Sequence, residues 1–256
     1  MIARMWSQRR TRPADDRVAD PAGPDDQRAE RPPGGGAGYA ADDGPIVVAP
    51  IDEVLAAIES VDLDRPWPAI ASQVMPVLPR RRALPGAADP PVRRSWPPGL
   101  ETAFGLDIGP AFLYIGAWAL DRWGVTLDEL ADRAVSNVRE RYSSRRRFGL
   151  LRDSIGGMPI SAFQSREGWA SALLLVPDEL TRVFGRDPSL ILAPMRDLLI
   201  QLPIDADQGL AAWLMEDFAA LDPNGLKVPI LALVDGELAL VPRTRRGNAG
   251  ASGKRH

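Results

Sequence analysis

The sequence predicts an α+β fold, in which an antiparallel sheet of hairpins alternates with helices packed mainly on one face of the sheet. Three observations lead to this prediction. Short apolar segments of strand length come in pairs, and an amphipathic helix separates each pair from the next. The last pair, residues 229–241, carries Asp-Gly at its centre, a dipeptide typical of the two-residue turn that joins antiparallel strands. Paired strands separated by helices favour an antiparallel layer over a doubly wound parallel sheet.

Composition divides the sequence into three parts. Residues 1–45 are dense in Pro, Gly, Asp and Arg, and residues 243–256 are small, polar and basic. Neither segment can bury enough apolar surface to offset its conformational entropy, so we predict a disordered N-terminal arm and a disordered basic tail. Residues 46–242 are predicted to form a single α+β domain. Within it, the Pro-rich stretch 83–98 is predicted to be a surface excursion.

Periodic apolar residues and end signals locate the helices. The spacing predicts helices over 51–60, 117–123, 126–142, 177–185 and about 206–220. Thr126 and Glu129 form a capping box, and Gly124 is a typical helix stop. Asp205 and Gln208 have a similar spacing before the last helix. Its predicted buried face consists of Leu210, Trp213, Leu214, Phe218 and Leu221.

Apolar segments without helical spacing are interpreted as strands. One strand is expected at 111–115, and residues 70–78 are apolar enough to dock on the core. Residues 157–164 and 169–177 are expected to form a hairpin joined by a polar loop. A further hairpin is expected from residues 189–193 and 198–202.

The stretch PSLILAPMRDLLIQLP, residues 188–203, interrupts its two apolar runs only at 194–197. Pro194 fixes one backbone angle, and Asp197 can bond to nearby amides, so these residues are interpreted as a hairpin turn. In that case Arg196 is an exposed turn residue, and its replacement by alanine should change stability by no more than about 0.5 kcal/mol. The alternative is that Arg196 and Asp197 are presented to a partner at the end of a strand.

Residue content restricts the possible chemistry. The protein has no cysteine, and His256, its last residue, is its only histidine. Thiolate nucleophiles, Cys-based metal sites and Ser–His or Cys–His pairs are therefore excluded. The glycines lack the sequence context of a phosphate or dinucleotide loop, and the acidic pairs are explained by helix caps and solvated helix faces. We accordingly predict no catalytic residue, no cofactor-binding residue, no metal ligand and no cofactor.

Candidate partner contacts lie outside such motifs. Between the two terminal segments, acidic residues exceed basic ones by seven, which argues against a broad phosphate-binding face. The basic patch Arg139–Arg147 is explained by cations at a helix C-terminus, with a partner- or anion-binding patch as the alternative. Trp67 and Trp96 lie in Pro-rich segments and could anchor a partner. The candidate contacts are Arg196, Asp197, Trp67, Trp96, Arg145, Arg146 and Arg147.

The order SALLLVPDELTRVFG, LILAPMRDLLIQLP, an amphipathic helix and VPILALVDGEL resembles the YtpQ-like family of uncharacterised bacterial proteins. The upstream VMPVLPRR and the helix TLDELADRAVSNVRE also fit that pattern. The resemblance covers residues 107–242, and 74–82 more loosely. It implies an α+β fold in a bacterial cytoplasmic protein and brings no activity with it. The N-terminal arm and residues 83–98 depart from the pattern.

The functional prediction follows from these exclusions. We expect a non-enzymatic protein-interaction module whose partner is another protein. The alternatives are a carboxylate-based hydrolase, which requires acidic side chains converging in a pocket, and weak nucleic-acid binding through the Arg139–Arg147 patch. The sequence shows neither the apolar region of a signal peptide nor a run of about 18 apolar residues, so we expect a cytoplasmic protein without membrane contacts.

Overall fold

The computed structural model describes residues 50–80, 90–109, 111–143, 149–165, 168–222 and 225–242. The protein divides into two units, Met1–Pro50 and Ile51–His256, and every described residue except Pro50 belongs to the second. The α+β class and the antiparallel pairing of the strands are confirmed. The predicted arm and tail lie outside the described residues.

The helices are α1 (Ile51–Glu59), α2 (Trp67–Ile70), α3 (Ala117–Trp123), α4 (Leu127–Ser143), α5 (Pro177–Phe184) and α6 (Gln208–Leu221). Short 3-10 segments occupy Ala71–Gln73 and Ala170–Leu175. The strands are β1 (Val74–Val77), β2 (Arg93–Trp96), β3 (Leu100–Asp107), β4 (Phe112–Tyr114), β5 (Gly149–Ile155), β6 (Met158–Gln164), β7 (Ser189–Met195), β8 (Leu198–Pro203), β9 (Leu231–Val234) and β10 (Glu237–Leu240).

The strands divide between two antiparallel sheets. In the first, β3 pairs with β1 on one side and with β2 and then β4 on the other. Strand β2 lies within the stretch expected to be a surface excursion. Every residue of β1 is buried, and α4 packs on this strand. Asn137 of α4 strengthens this contact by donating hydrogen bonds to the carbonyls of Ala71 and Val74, each at 2.7 Å.

The second sheet has the strand order β10-β9-β7-β8-β6-β5. Helix α6 packs on its central strand β7, and all seven residues of β7 are buried. Because alternate strand residues point to opposite faces, β7 is covered on both faces. The Arg196–Asp197 turn therefore directly follows a strand whose residues are all buried.

One expected hairpin is wrong. Residues 170–175 form a 3-10 segment with five buried residues rather than a strand, and β6 pairs with β5 instead. The turn between β5 and β6 contains Gly156 and Gly157, whose φ angles of 59° and 83° suit glycine. A short apolar run has the same sequence pattern whether it forms a buried strand or a buried helical turn. Here tertiary packing decided between the two.

Local signals are more dependable at the turns and caps. Asp235 and Gly236 join β9 to β10 with φ angles of 52° and 81°, as a two-residue hairpin turn requires. The capping box of α4 is confirmed, because Glu129 accepts a hydrogen bond from the Thr126 amide at 2.7 Å. The hydrogen bonds that Glu129 accepts from the amide and the hydroxyl of Thr126 lower the pKa of this carboxyl.

Two predicted apolar faces need correction. None of the residues of α1 is buried, and Ile51 and Leu55 are 68% and 50% exposed. On α6 the buried face includes Leu214 and Phe218 but not Trp213 and Leu221, which are exposed. The N-cap of α6 is Asp207, which accepts a hydrogen bond from the Leu210 amide at 2.8 Å, and not the expected Asp205.

Candidate functional site at the Arg196–Asp197 turn

The turn between β7 and β8 consists of Arg196 and Asp197 alone. Pro194, expected in the turn, lies within β7 at a register irregularity, where its missing amide hydrogen interrupts no regular pairing. Its carbonyl accepts a hydrogen bond from the Leu226 amide at 2.9 Å, and the Arg196 carbonyl accepts one from the Ser171 amide at 2.9 Å. Two other segments of the protein therefore hold the turn in place.

The Asp197 carboxylate is hydrogen-bonded within the protein. Its Oδ1 accepts hydrogen bonds from the Ser165 amide at 3.1 Å and from the Ser165 hydroxyl. The backbone amides of Gly168 and Ala170 also act to lower the pKa of this carboxyl. Burial raises the pKa of Asp197, and these hydrogen bonds oppose the shift. Asp197 therefore anchors the loop that precedes the 3-10 segment, and its presentation to a partner stays a prediction.

Arg196 is half-buried, which corrects the expectation of an exposed turn residue. Its Cζ lies 3.9 Å from the centroid of the Phe112 ring and 5.8 Å from that of Trp169, so the cation stacks on an aromatic surface. Burial, reinforced by the charge of Arg80, lowers the pKa of Arg196 to about 10. The guanidinium remains charged at neutral pH but is partly desolvated.

Arg80 brings a second cation to the same ring. Its Cζ lies 5.7 Å from the Phe112 centroid. Its backbone bridges to Leu226, and the Pro79 carbonyl accepts a hydrogen bond from the Lys227 amide at 2.9 Å. The Nε of Arg80 is buried and has no hydrogen-bond partner among the described residues. Such an atom has lost its water and gained no acceptor in exchange.

Three aromatic side chains support the two cations. The Phe112 ring meets Tyr114 edge-on at 5.0 Å and Trp169 at 6.0 Å between centroids. Trp169 Nε1 donates to Asp107 Oδ2 at 3.1 Å, and the same oxygen accepts a hydrogen bond from Arg141 at 2.7 Å. Asp107 thereby fixes the orientation of the Trp169 ring. We call the group the arginine–aromatic cluster: Arg80, Phe112, Tyr114, Trp169 and Arg196.

Gly105 makes room for this cluster. It lies on β3 opposite Tyr114. A Cβ at this position would lie 2.9 Å from Cδ2 of Phe112 and 3.2 Å from the Leu113 carbonyl oxygen. Such distances are shorter than van der Waals contact, so a larger residue here would displace the Phe112 ring on which Arg196 stacks.

Sequence reasoning finds only one member of the cluster, Arg196. It places Trp169 at the start of an expected strand and does not single out Arg80, Phe112 or Tyr114. Arg80 does carry a signal, because a charged residue closely follows the fully apolar strand β1. No pattern along the sequence shows that residue 80 and residue 196 meet at one ring.

The two predicted tryptophan anchors belong to the first sheet. The Trp67 ring lies 5.7 Å from that of Trp123, and both belong to the apolar cluster that includes Phe104 and Leu130. Trp96 donates a hydrogen bond from Nε1 to the Thr102 hydroxyl at 2.8 Å, while Arg94 stacks over its ring at 4.5 Å. Both tryptophans are half-buried and have structural partners within the protein.

Only part of the predicted basic patch Arg139–Arg147 lies among the described residues. Arg139 forms an ion pair with Asp178 at 3.8 Å, and Arg141 forms one with Asp107 at 2.7 Å. These two arginines have internal carboxylate partners, which leaves less charge for an external phosphate. The remaining candidates lie outside the described residues: Arg145, Arg146 and Arg147.

Among the described residues, one cavity brings two acidic side chains together. A cavity of about 370 Å³ has Asp62 and Asp107 as its acidic lining residues, and Asp107 is already bonded to Arg141 and Trp169. No group of three or more His, Cys, Asp or Glu residues in this described part could hold a metal ion. Glu179, the buried glutamate, is paired with Arg182 at 2.5 Å.

Comparison with protein-family models, with curated proteins and with solved structures gave no match. The resemblance to the YtpQ-like family therefore stays a prediction. Within the described ranges, no helix is both long and apolar enough to span a membrane.

Proposed function

We propose that this protein is a non-enzymatic protein-interaction module and that the arginine–aromatic cluster is its contact surface for a partner protein. We further propose, on the resemblance to the YtpQ-like family, that it acts in the bacterial cytoplasm. Arginine and aromatic side chains carry a large share of binding energy in protein interfaces, where they lie in well-packed pockets from which water is excluded.

One observation supports this proposal above the others. Arg80 and Arg196 share the Phe112 ring, yet among the described residues neither guanidinium forms an ion pair. A partly desolvated cation that has no ion-pair partner is costly unless an opposite charge compensates it. Two such cations side by side destabilise the free protein, and an external group that pairs with them recovers that energy.

The other two hypotheses have less support. A carboxylate-based hydrolase requires an uncompensated acidic pair, whereas Asp107, Glu179 and Asp197 are each bonded to internal donors. Nucleic-acid binding requires free arginines in the patch, and Arg139 and Arg141 have carboxylate partners. The interaction proposal uses the arginines that have none.

Photo-crosslinking tests the proposal directly. We would replace Tyr114 with p-azidophenylalanine, which preserves the ring, and identify the crosslinked protein by mass spectrometry. The affinity of that purified partner is then measured by calorimetry. We expect Arg196→Gln and Arg80→Gln to weaken binding by about tenfold or more, since an interface hot spot contributes more than about 1.4 kcal/mol.

Arg186→Gln is the matched control. Arg186 is an exposed arginine in the loop before β7, at the opposite end of the strand from Arg196. The same charge change there should leave partner affinity unchanged. A partner that binds equally to all three variants would contradict the proposal, as would a loss of affinity in the Arg186 variant alone.

A further inference from the structure

The guanidinium edge of Arg196 indicates a ligand class. The face of this group is occupied by the Phe112 ring at 3.9 Å. A guanidinium carries its N–H donors in its own plane, so stacking leaves them available at the edge. Among the described residues, no side chain accepts a hydrogen bond from this edge. An acceptor with two coplanar oxygens matches that donor pattern, and a carboxylate has this geometry.

Arg80 strengthens the attraction of an anion to the edge of the Arg196 guanidinium. Both guanidiniums contact one ring, so their Cζ atoms lie less than about 10 Å apart, since the two Cζ–centroid distances are 3.9 and 5.7 Å. In a partly desolvated environment their repulsion is weakly screened, and it contributes to the lowered pKa of Arg196. An anion beside Arg196 relieves that repulsion in addition to forming its own hydrogen bonds.

The charge balance favours a monoanion over a dianion. Asp197 and Asp222 both stabilise the charged form of Arg196 and so lie within electrostatic range of it. The Asp197 carboxylate accepts hydrogen bonds from the Ser165 amide and hydroxyl, and it remains close enough to Arg196 to offset part of its charge. A phosphate dianion would meet the repulsion of both carboxylates, whereas a single negative charge is adequate for two cations already partly offset.

We infer that the arginine–aromatic cluster seats a carboxylate of the partner protein, either an acidic side group or a terminal carboxylate, against the edge of Arg196, with Arg80 as the second cation. This inference rests on the proposed function and adds the chemical class of the group that is recognised.

The experiment uses sodium acetate as the probe and the full-length protein labelled with ¹⁵N. The Arg80 and Arg196 Nε–Hε resonances are assigned by their disappearance in Arg80→Lys and Arg196→Lys. Acetate is titrated at pH 7 with ionic strength held constant by sodium chloride. We expect the Arg196 resonance to shift saturably with acetate and not with chloride. Half-saturation should rise about tenfold in Arg80→Gln and stay unchanged in Arg186→Gln.

A parallel titration with inorganic phosphate separates the two anion classes. Half-saturation by phosphate at or above the acetate concentration supports a carboxylate seat. Phosphate binding about tenfold tighter than acetate would overturn the assignment in favour of a phosphate group. An Arg196 resonance that ignores both anions, or that responds equally to chloride, would overturn the anion seat itself.

The two proposals fail separately. If acetate does not bind but the crosslinked partner still needs Arg196, the carboxylate inference falls and the interaction proposal stands. If acetate binds at Arg196 but partner affinity is the same in Arg196→Gln, the seat is real and the interaction proposal falls.

Discussion

Truncation of Leu214 to alanine tests the packing of α6 on the second sheet. Leu214 is 2% exposed, and α6 packs on β7, which has no exposed residue. The substitution removes three carbon atoms from the interior, for a transfer term of roughly 2.4 kcal/mol at about 0.8 kcal/mol per carbon. The cavity left behind adds to this because the surrounding core relaxes only in part. We expect a total loss of about 2–5 kcal/mol in the free energy of unfolding.

Urea denaturation followed by circular dichroism measures this loss, with an unchanged m-value showing that the unfolding transition is comparable. Leu221→Ala is the matched control, since Leu221 lies on the same helix but is 48% exposed. With half the burial and no enclosed cavity, it should cost only about 1 kcal/mol. Equal losses in the two variants would show that the buried face of α6 is misassigned.

Two further substitutions test the environment of the turn. Burial raises the pKa of Asp197, so the native state binds the proton of this carboxyl more tightly than the unfolded state does. The contribution of Asp197 to the free energy of unfolding therefore falls as pH rises through the raised pKa. The difference in urea midpoint between wild type and Asp197→Asn should therefore decrease between about pH 4 and 7; an increase would mean that the hydrogen bonds of Asp197 outweigh its burial. Gly105→Ala should destabilise the protein by about 1–3 kcal/mol and weaken the acetate response, because its Cβ would collide with Phe112. Gly149→Ala on β5, where the nearest atom to a Cβ is 3.9 Å away, serves as the control, and equal effects of the two would remove the argument for Gly105.

Elements with strong local signals are predicted correctly. The capping box at Thr126 and Glu129 starts α4 where expected, and the Asp-Gly turn joins β9 to β10. These features involve residues within a few positions of each other, so their hydrogen bonds and backbone angles follow from the local sequence. The hairpin of β7 and β8 is found for the same reason, although its turn is two residues shorter than expected.

The incorrect predictions concern apolar runs that are compatible with more than one structure. Residues 169–177 have strand length and strand composition, yet 170–175 form a buried 3-10 segment that carries Trp169 and Ser171 to the turn. Helix α1 has a regular apolar face, but none of its residues is buried. Periodicity shows that a face is apolar; it does not show what covers that face.

The candidate site shows the same division. The amino-acid sequence by itself determined the α+β class, the hairpin that contains residues 196 and 197, the absence of cysteine and the presence of a single histidine. Only the tertiary structure decided that Arg196 stacks on Phe112 beside Arg80. It also decided that backbone amides of a neighbouring loop stabilise the Asp197 carboxylate. The physical reason is that helices, caps and tight turns depend on neighbours in sequence. Desolvation and charge pairing depend instead on which distant segments the packed sheets bring together.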